Sequence, residues 1–415
     1  MTGGKNGQYK TMRIVHLVNY FQYKLGYQEY YLAKVQADLG HEVYVITSNR
    51  YFPFYNYENT VQNILGPRFF KPGEKKIQGF TLINLPIIYE QPARRVWLKG
   101  LKKRLKRIKP DLVHSHGEFT FLTAQSIFWK KKFGYRLVID SHSHPHDSRR
   151  YKDAKKSKAF FIQKMISFLL NKFYKKFIFT RTDVKWIATT EWNRKYLIEK
   201  YGFSTDVLML IPNGSDVEIF HPDPNVRKEK RKEFNIDDKD IVILYTGLIS
   251  EFKGVHKIIQ ASKKFLSQFN LKYVFVGNID TQFREKFLNI IGEVKKSVVL
   301  HKAVNNKDLP PFYQMADIAC WPMESSLSAV DAMASALPII VCEKLSERLK
   351  NNNGFGVSEV DVSQLSNALE KLITNKDLRD AMGKNGLELV QREMNWKYIS
   401  RRFIEVAFFN NRSSS

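Results

Sequence analysis

The sequence predicts an α/β fold of two domains, each an open parallel sheet wound by helices. Three observations carry this expectation. The 415 residues exceed what one ordinary core accommodates and divide into two units of about 200 each. Short apolar runs alternate with amphipathic segments along nearly the whole chain, the pattern of successive strand–helix–strand units. Residues 315–343, MADIACWPMESSLSAVDAMASALPIIVCE, read in order as strand, polar turn, small-residue helix and second strand, a complete βαβ unit. Ligands of such sheets lie beyond the carboxyl ends of the strands, where a helix start offers free N–H groups and a positive dipole end. Glu324, Ser325, Ser326 and Ser328 occupy that place. Ser328 and Asp331 also have the spacing of a capping box, which would make the pair purely structural.

Residues 1–11 precede the first apolar run and are expected to form a disordered leader, with Met12 suited to be a start. Residues 13–19 give the first strand, Gly26 the turn, residues 27–39 a helix stopped by Gly40, and residues 42–47 the second strand. A glycine in the first strand-to-helix turn lets backbone approach a phosphate. Residues 51–80 are aromatic and rich in turn formers and read as a long loop, often a binding surface. In residues 94–109, RRVWLKGLKKRLKRIK, the apolar positions Val96, Leu98, Leu101, Leu105 and Ile108 predict a basic amphipathic helix. Residues 155–176 repeat the theme. The apolar stripes suit packing against a sheet, whereas the lysines exceed what packing explains and suit an anionic membrane surface.

Between these two segments, PDLVHSHGE supplies a strand ending at His116 and RLVIDSHSHPHD another, past whose end Asp140 and His142 are expected over the same crevice. His142, His144 and His146 alternate in a way that invites a metal. Pro145 interrupts the alternation and no second ligand cluster accompanies it, so no metal is expected there. A strand (184–189), a helix (191–201) and a strand (207–211) lead into PNGSD, which sets Asn213 at the domain junction as a further cleft contact. The first domain thus spans 12–220. The charged run that follows makes 221–240 the expected linker, and its Asp238 and Asp240 read as solvated acids. The second domain, 241–395, opens with a strand (241–246), Gly247, Lys253 and a helix (255–269). Strand 273–276 closed by Gly277, strand 297–301, helix 308–314, the βαβ stretch and helices 361–371 and 377–392 complete it. An amphipathic segment, 396–409, is expected to return to the first domain, followed by a disordered tail to residue 415.

Composition excludes some classes and suggests others. Hydrophobic content of 43% is globular, and the two cysteines, Cys320 and Cys342, lie in or beside apolar runs as buried thiols of a reducing compartment. Neither a signal-type h-region nor an uncharged run of about 18 residues is present, so a cytoplasmic protein is expected, peripheral on the cytoplasmic face of a membrane. Residues 1–220 carry 38 of the 67 Lys+Arg and 17 of the 41 Asp+Glu, a net +21 that leaves +5 of the total +26 for the rest. Something acidic is therefore expected to approach the first half. Nucleic acid is not the expected partner, because no zinc motif or RNP signature accompanies the charge.

Taken together, LGYQEYYLAKVQADLGHEVYVITS, PDLVHSHG, IPNGSDVEIFHP, TGLISEFKGVHKIIQA and ESSLSAVDAMASALPIIV resemble, in order, the retaining nucleotide-sugar transferases of glycosyltransferase family 4. The resemblance spans residues 12–400. It implies a GT-B architecture, two Rossmann-like domains facing each other across a cleft, and transfer of a sugar from a UDP or GDP donor to a lipid-linked or growing surface glycan. Under it Lys253 neutralises the diphosphate, Asp331 takes the ribose hydroxyls, and His116 and Glu324 contact the donor sugar. Gly26, Tyr27, Gly247, Gly277, Ser325, Ser326, Leu327 and Ser328 complete the donor site, with no metal or other cofactor. Three departures stand out: Leu248 occupies the place of an arginine, Met323 that of a glutamate, and Tyr27 that of a second glycine. Leu248 and Met323 motivate an alternative, a catalytically impaired relative acting as a scaffold or regulator.

Overall fold

The structure is a computed structural model and describes residues 10–54, 56–92, 95–141, 169, 172, 178, 179, 181, 183–323, 327–359 and 361–408. The first half contributes β1 (Arg13–Val18), β2 (Glu42–Ser48), β3 (Gly73–Ile77), β4 (Phe80–Leu85), β5 (Ile87–Gln91), β6 (Arg95–Leu98), β7 (Leu112–His116), β8 (Arg136–Ser141), β9 (Lys185–Ala188) and β10 (Leu208–Leu210). Eight of these form a sheet in the order β10-β9-β8-β7-β1-β2-β4-β3, and β5 and β6 form a separate ribbon. Pairing in the large sheet is parallel except between β3 and β4. Its central strands are buried on both faces, which is why RIVHLV and LVHSH read as nearly continuous buried runs rather than alternating ones.

The second half supplies β11 (Ile241–Thr246), β12 (Leu271–Val276), β13 (Val298–His301), β14 (Ile318–Trp321), β15 (Ile339–Cys342) and β16 (Gly354–Val357), all parallel, in the order β13-β12-β11-β14-β15-β16. Numbered from its own first strand this is 3-2-1-4-5-6, the doubly wound order whose direction of winding reverses between the first and fourth strands. That switch point lies between β11 and β14. The corresponding reversal in the first sheet lies between β1 and β7. The two-domain, doubly wound α/β fold expected from the sequence is thus the fold observed.

One apolar core fills the second domain, and two line the faces of the first sheet. The helix Trp396–Phe408 belongs to the latter. Its Trp396, Ile399, Phe403 and Ile404 pack with Ile14, Leu32 and Val138, and Trp396 stacks on Tyr31 with centroids 5.2 Å apart. The chain therefore passes between domains twice, and the passages touch. Ser215 N–H donates to Met394 O at 2.8 Å and Trp396 N–H to Ser215 O at 3.2 Å.

Several elements differ from expectation for identifiable reasons. Residues 94–109 are not one helix: Val96 and Trp97 pair with β5, and Gly100, at φ 85°, caps the shorter helix Leu101–Ile108. The stretch 51–80 holds the short helices Tyr57–Thr60 and Gln62–Leu65 and the edge strand β3 rather than one loop. Within 221–240 Asp223 caps a helix, Pro224–Glu233, through the N–H groups of Asn225 and Val226. Arg231, 1% exposed, donates to the carbonyls of Met315, Asp237 and Asp240 and to Asp317 at 2.7 Å. Arg227 also binds Asp317, so this segment is tied into the second domain by buried charge rather than left in solvent. Helix Val255–Ser262 gives way at Ser262 to a tighter 3₁₀ stretch, Lys263–Ser267. Of the expected helix over 155–176 only residues 169 and 172 are among the described residues, and the leader up to residue 9 and the tail from 409 lie outside them.

Candidate active site

Both switch points carry residues singled out by the sequence. At the first, Gly26 ends the 3₁₀ turn Tyr23–Leu25 at φ 68°. A Cβ there would lie 2.4 Å from Cγ of Asn306, a second-domain residue, so only glycine permits this approach of the two domains. Tyr27 precedes the helix Gln28–Asp38. On the far side of the switch point, His116 ends β7 but is nearly buried. Its Nδ1 lies 2.7 Å from Asp140 Oδ2 and its Nε2 3.0 Å from His16 Nδ1. Asp140 does not overhang the crevice as expected. It is fully buried, because it is in register with His116 beneath the helix that supplies Gln28, whose Nε2 donates to Asp140 at 3.1 Å.

At the second switch point Gly247 follows β11 and Gly277 follows β12. A Cβ on Gly277 would fall 1.8 Å from Gly247 O, which explains this glycine by packing alone. Lys253 ends the turn Glu251–Lys253 ahead of the helix Val255–Ser262, its Nζ 5.8 Å from the Phe252 ring centroid. The next residue, Gly254, is in close contact with Met323 beyond the end of β14: a Cβ there would lie 2.6 Å from Met323 Sδ. The lysine turn and the loop after β14 are therefore neighbours, and Met323 fills the space between them. Leu248 uses its carbonyl to accept from Tyr245 Oη at 2.8 Å. Glu324, Ser325, Ser326 and, in the first domain, His142 lie outside the described residues.

The helix after that loop, Ser328–Ala334, is seven residues long. Leu327 takes its N-cap position without a side-chain bond, and Ser328 is already helical, so the Ser328–Asp331 spacing is not a capping box. Asp331 instead reaches across the junction and accepts from Ser215 Oγ at 2.7 Å. Burial pushes its carboxyl up to about 7, against the opposing pull of the Ser215 hydrogen bond. Tyr31 links the same region to the second domain through Asn306 Oδ1 at 2.5 Å, and its hydroxyl is held far above the ordinary range by burial and by Asp331. Asn213, two residues before Ser215, is 6% exposed and its Oδ1 meets no hydrogen-bond donor. Ser250 Oγ, at the start of the lysine turn, is likewise buried without a partner. Such atoms are costly unless a ligand satisfies them.

Contacts therefore connect Gly26 and Tyr31 to Asn306, Ser215 to Asp331, and Gly254 to Met323. His16, His114, Gln28, Gln36 and Asn306 were not anticipated. A cleft of about 360 Å³ was also unforeseen as such, lined among others by Phe21, Tyr23, Tyr51, Phe70, Lys71 and Asn84. Its signal was the aromatic run after residue 50, and two of its walls precede Gly26 in the same loop.

Residues 28–219 match Glycosyltransferase Family 4, and residues 226–389 match Glycosyl transferases group 1. The capsular polysaccharide biosynthesis glycosyltransferase CapM of Staphylococcus aureus is 28% identical over 201 residues, 45% of this chain and 50% of its own length. The alpha-monoglucosyldiacylglycerol synthase of Acholeplasma laidlawii is 24% identical over 323 residues, 73% and 72% of the two chains. With respect to the first curated relatives it matches, the chain spans between 50% and 61% of their length. Sucrose-phosphate synthase of Thermosynechococcus elongatus shares the fold with a TM-score of 0.69 at 17% identity, over 95% of this chain and 98% of that one. Anabaena HepE, in complex with UDP, does so with a TM-score of 0.66 at 14% identity, over 95% of this chain and 99% of that one. The two matched families abut at the junction between the two sheets, and the whole-chain likeness is to enzymes of this two-domain build. The chain belongs to the family 4, group 1 glycosyltransferases of GT-B fold.

Proposed function

We propose that the chain transfers a sugar, with retention of anomeric configuration, from a UDP or GDP donor to a lipid-linked or growing surface glycan. The observation that carries this reading is the set of contacts joining the two ligand-binding switch points across the junction, Gly26 to Asn306 and Ser215 to Asp331. In the reaction the acceptor hydroxyl oxygen bonds to the anomeric carbon on the face from which the diphosphate departs. The donor C–O bond breaks, its electron pair stays on the phosphate oxygen, and that oxygen takes the acceptor proton. No protein nucleophile is needed. The departing diphosphate gains charge, which the Lys253 ammonium and the backbone N–H groups of Leu327 and Ser328 meet. Asp331 receives the ribose hydroxyls, Asn213 Oδ1 a donor-sugar or acceptor hydroxyl, and His116 and Glu324 the sugar. The aromatic cleft beside the Gly26 loop takes the acceptor. HepE in complex with UDP-glucose and the polysaccharide and glycolipid relatives are consistent with these classes of donor and acceptor.

A membrane face accompanies this site in the proposal. Tyr89 and Trp97, paired across the β5–β6 ribbon, are 48% and 42% exposed, and both rings approach Phe121 on the helix Phe121–Phe133. Phe128, 82% exposed, lies two turns further along that helix. Lys99, Lys102 and Lys103 follow the ribbon in sequence and Lys130, Lys131 and Lys132 end the helix. Exposed aromatics beside lysines suit the interface of an anionic bilayer. Among the described residues, no helix is long and apolar enough to cross a membrane.

A panel of UDP- and GDP-sugars screened by thermal shift identifies the donor, since a ligand of the folded state raises its apparent stability. With that donor, Lys253→Ala is expected to lower kcat by roughly 10²–10³-fold. A loss no greater than that of Lys376→Ala, on the exposed surface of the second domain, refutes the assignment.

A further inference from the structure

Beyond the carboxyl end of β2 the chain makes a short antiparallel ribbon outside the main sheet. Arg50 is bridged to Phe69, Tyr51 N–H donates to Arg68 O at 2.9 Å, and Asn49 Nδ2 donates to Phe70 O at 2.9 Å. Ser48 Oγ donates to Asn19 O at 2.6 Å, which ties the ribbon to the loop running from β1 to Gly26. Tyr51 and Phe70 line the cleft assigned above to the acceptor, as do Lys71 and Lys75. Their neighbours in the ribbon, Arg50, Arg68 and Phe69, form a second group that the cleft does not account for.

Glu90 of β5 gathers both guanidiniums. It accepts from Arg50 Nη1, from Arg68 Nη2 and, at 2.8 Å, from Tyr20 Oη. Burial opposes its ionisation, yet the Tyr20 hydrogen bond and the two cations hold its carboxyl below the ordinary range. The group is therefore two cations on one carboxylate, with one positive charge left over. Arg68 also spends Nε on Tyr51 O at 3.1 Å. Arg50 Nε, by contrast, is buried without an acceptor, so hydrogen bonding within the protein does not exhaust this pair. Their side chains are 29% and 18% exposed against 9% for Glu90, which leaves the outer donors within reach of a ligand. Phe69, 59% exposed, has Cζ of Arg50 and of Arg68 at 5.1 and 4.8 Å from its ring centroid. It orients both planes while presenting hydrocarbon to solvent.

We propose that Arg50 and Arg68 bind the phosphate group of an amphiphilic acceptor, with Phe69 against the start of its apolar chain and the sugar to be extended in the adjoining cleft. Two forked guanidiniums held together by one carboxylate match the several oxygens of a phosphate. An exposed aromatic ring beside them suits attached hydrocarbon rather than a free ion. The inference rests on the transferase reading above only in making the ligand an acceptor; recognition of a phosphate amphiphile stands on the ribbon alone.

The test is titration calorimetry of the full chain with decyl phosphate below its micellar concentration, beside inorganic phosphate and decanol. Decyl phosphate should bind, and the other two more weakly by roughly tenfold or more. Equal binding of inorganic phosphate removes the apolar chain from the site, equal binding of decanol removes the anion, and either overturns the proposal. Arg50→Gln and Arg68→Gln should each weaken decyl phosphate by roughly 10–100-fold, the worth of hydrogen bonds to a charged group, while Lys253→Ala leaves its affinity unchanged. The reverse pattern puts the phosphate at the donor site and refutes the assignment. Should either arginine variant fail to fold, Glu90→Gln decides: it keeps both guanidiniums and removes their competitor, so decyl phosphate should bind at least as tightly as to the native chain, and weaker binding counts against the site. UDP titrated into the native chain separates the two readings. Decyl phosphate held at the arginines without UDP binding keeps the phosphate site and removes only its use for an acceptor; UDP bound without decyl phosphate leaves the donor reading intact and ends this one.

Discussion

Asp331→Asn perturbs the junction at its most loaded point. The folded carboxyl titrates at about 7, against 3.8 for an unperturbed aspartate, because burial opposes its ionisation and Asp216 adds repulsion, with Ser215 and Arg348 pulling the other way. The folded chain thus holds this proton more tightly than the unfolded chain. Its contribution to stability is full below about pH 4, declines as pH rises to about 7, and is constant and lowest above that. A difference of about three pKa units at 1.36 kcal/mol each corresponds to roughly 4 kcal/mol. Asparagine keeps an acceptor for Ser215 Oγ and cannot ionise. The variant should therefore match the native chain near pH 4 and exceed it at pH 8 by up to about 4 kcal/mol, or roughly 8–16 °C in Tm for a domain of this size. The assay is Tm against pH for both proteins, reading only their difference. A difference that does not grow between pH 4 and pH 8 refutes the reasoning. Donor affinity should move the other way, falling in the more stable variant as the ribose hydroxyls lose a carboxylate.

Other expectations follow from single contacts. Gly26→Ala combines a left-handed backbone, costing about 1 kcal/mol, with a methyl 2.4 Å from Asn306. Its Tm should fall, and adding Asn306→Ala should restore only the part due to the clash; a neutral Gly26→Ala would mean the domains do not meet there in solution. Arg231→Met leaves three carbonyls without their buried donor and Asp317 with Arg227 as its remaining cation, and urea unfolding should show a loss of about 3 kcal/mol. Tyr89→Ser with Trp97→Ser should weaken binding to phosphatidylserine vesicles while leaving donor affinity intact, and equal binding by both proteins would remove the ribbon from the membrane face.

The legible parts of the fold were those whose burial is set locally. β8, β11 and β12 stand out because strands covered on both faces leave short apolar runs. The helix Glu191–Tyr201 is marked by Thr190 at its N-cap and Gly202 at its end. The β5–β6 ribbon was hidden because Val96, Leu98, Leu101 and Leu105 fit a helical stripe without interruption, and only Gly100 signals the break. Charge misled in the same way at 221–240. Arg227 and Arg231 are one helical turn apart, and the carboxylate that buries them, Asp317, is 86 residues beyond Arg231 in sequence. His116 and Asp140 could be singled out because each ends an obvious strand, but their partners depend on the register between β1 and β7, which one sequence does not disclose. Asp140 accordingly turned out to be a buried anchor rather than a cleft contact.

The double passage of the chain ties the two sides of the site together in different ways. Ser215 and Asn395 are bridged where the passages meet, and Ser215 also holds Asp331, so the ribose side of the proposed donor site is fixed to both passages at once. Gly26 against Asn306, and Asn278 donating to the carbonyl of Thr60, join the domains between loops where no chain crosses. A buried acid with an unfavourable charge is tolerated where two covalent passages hold the junction, and a glycine with no side chain is needed where only the close approach of two loops does.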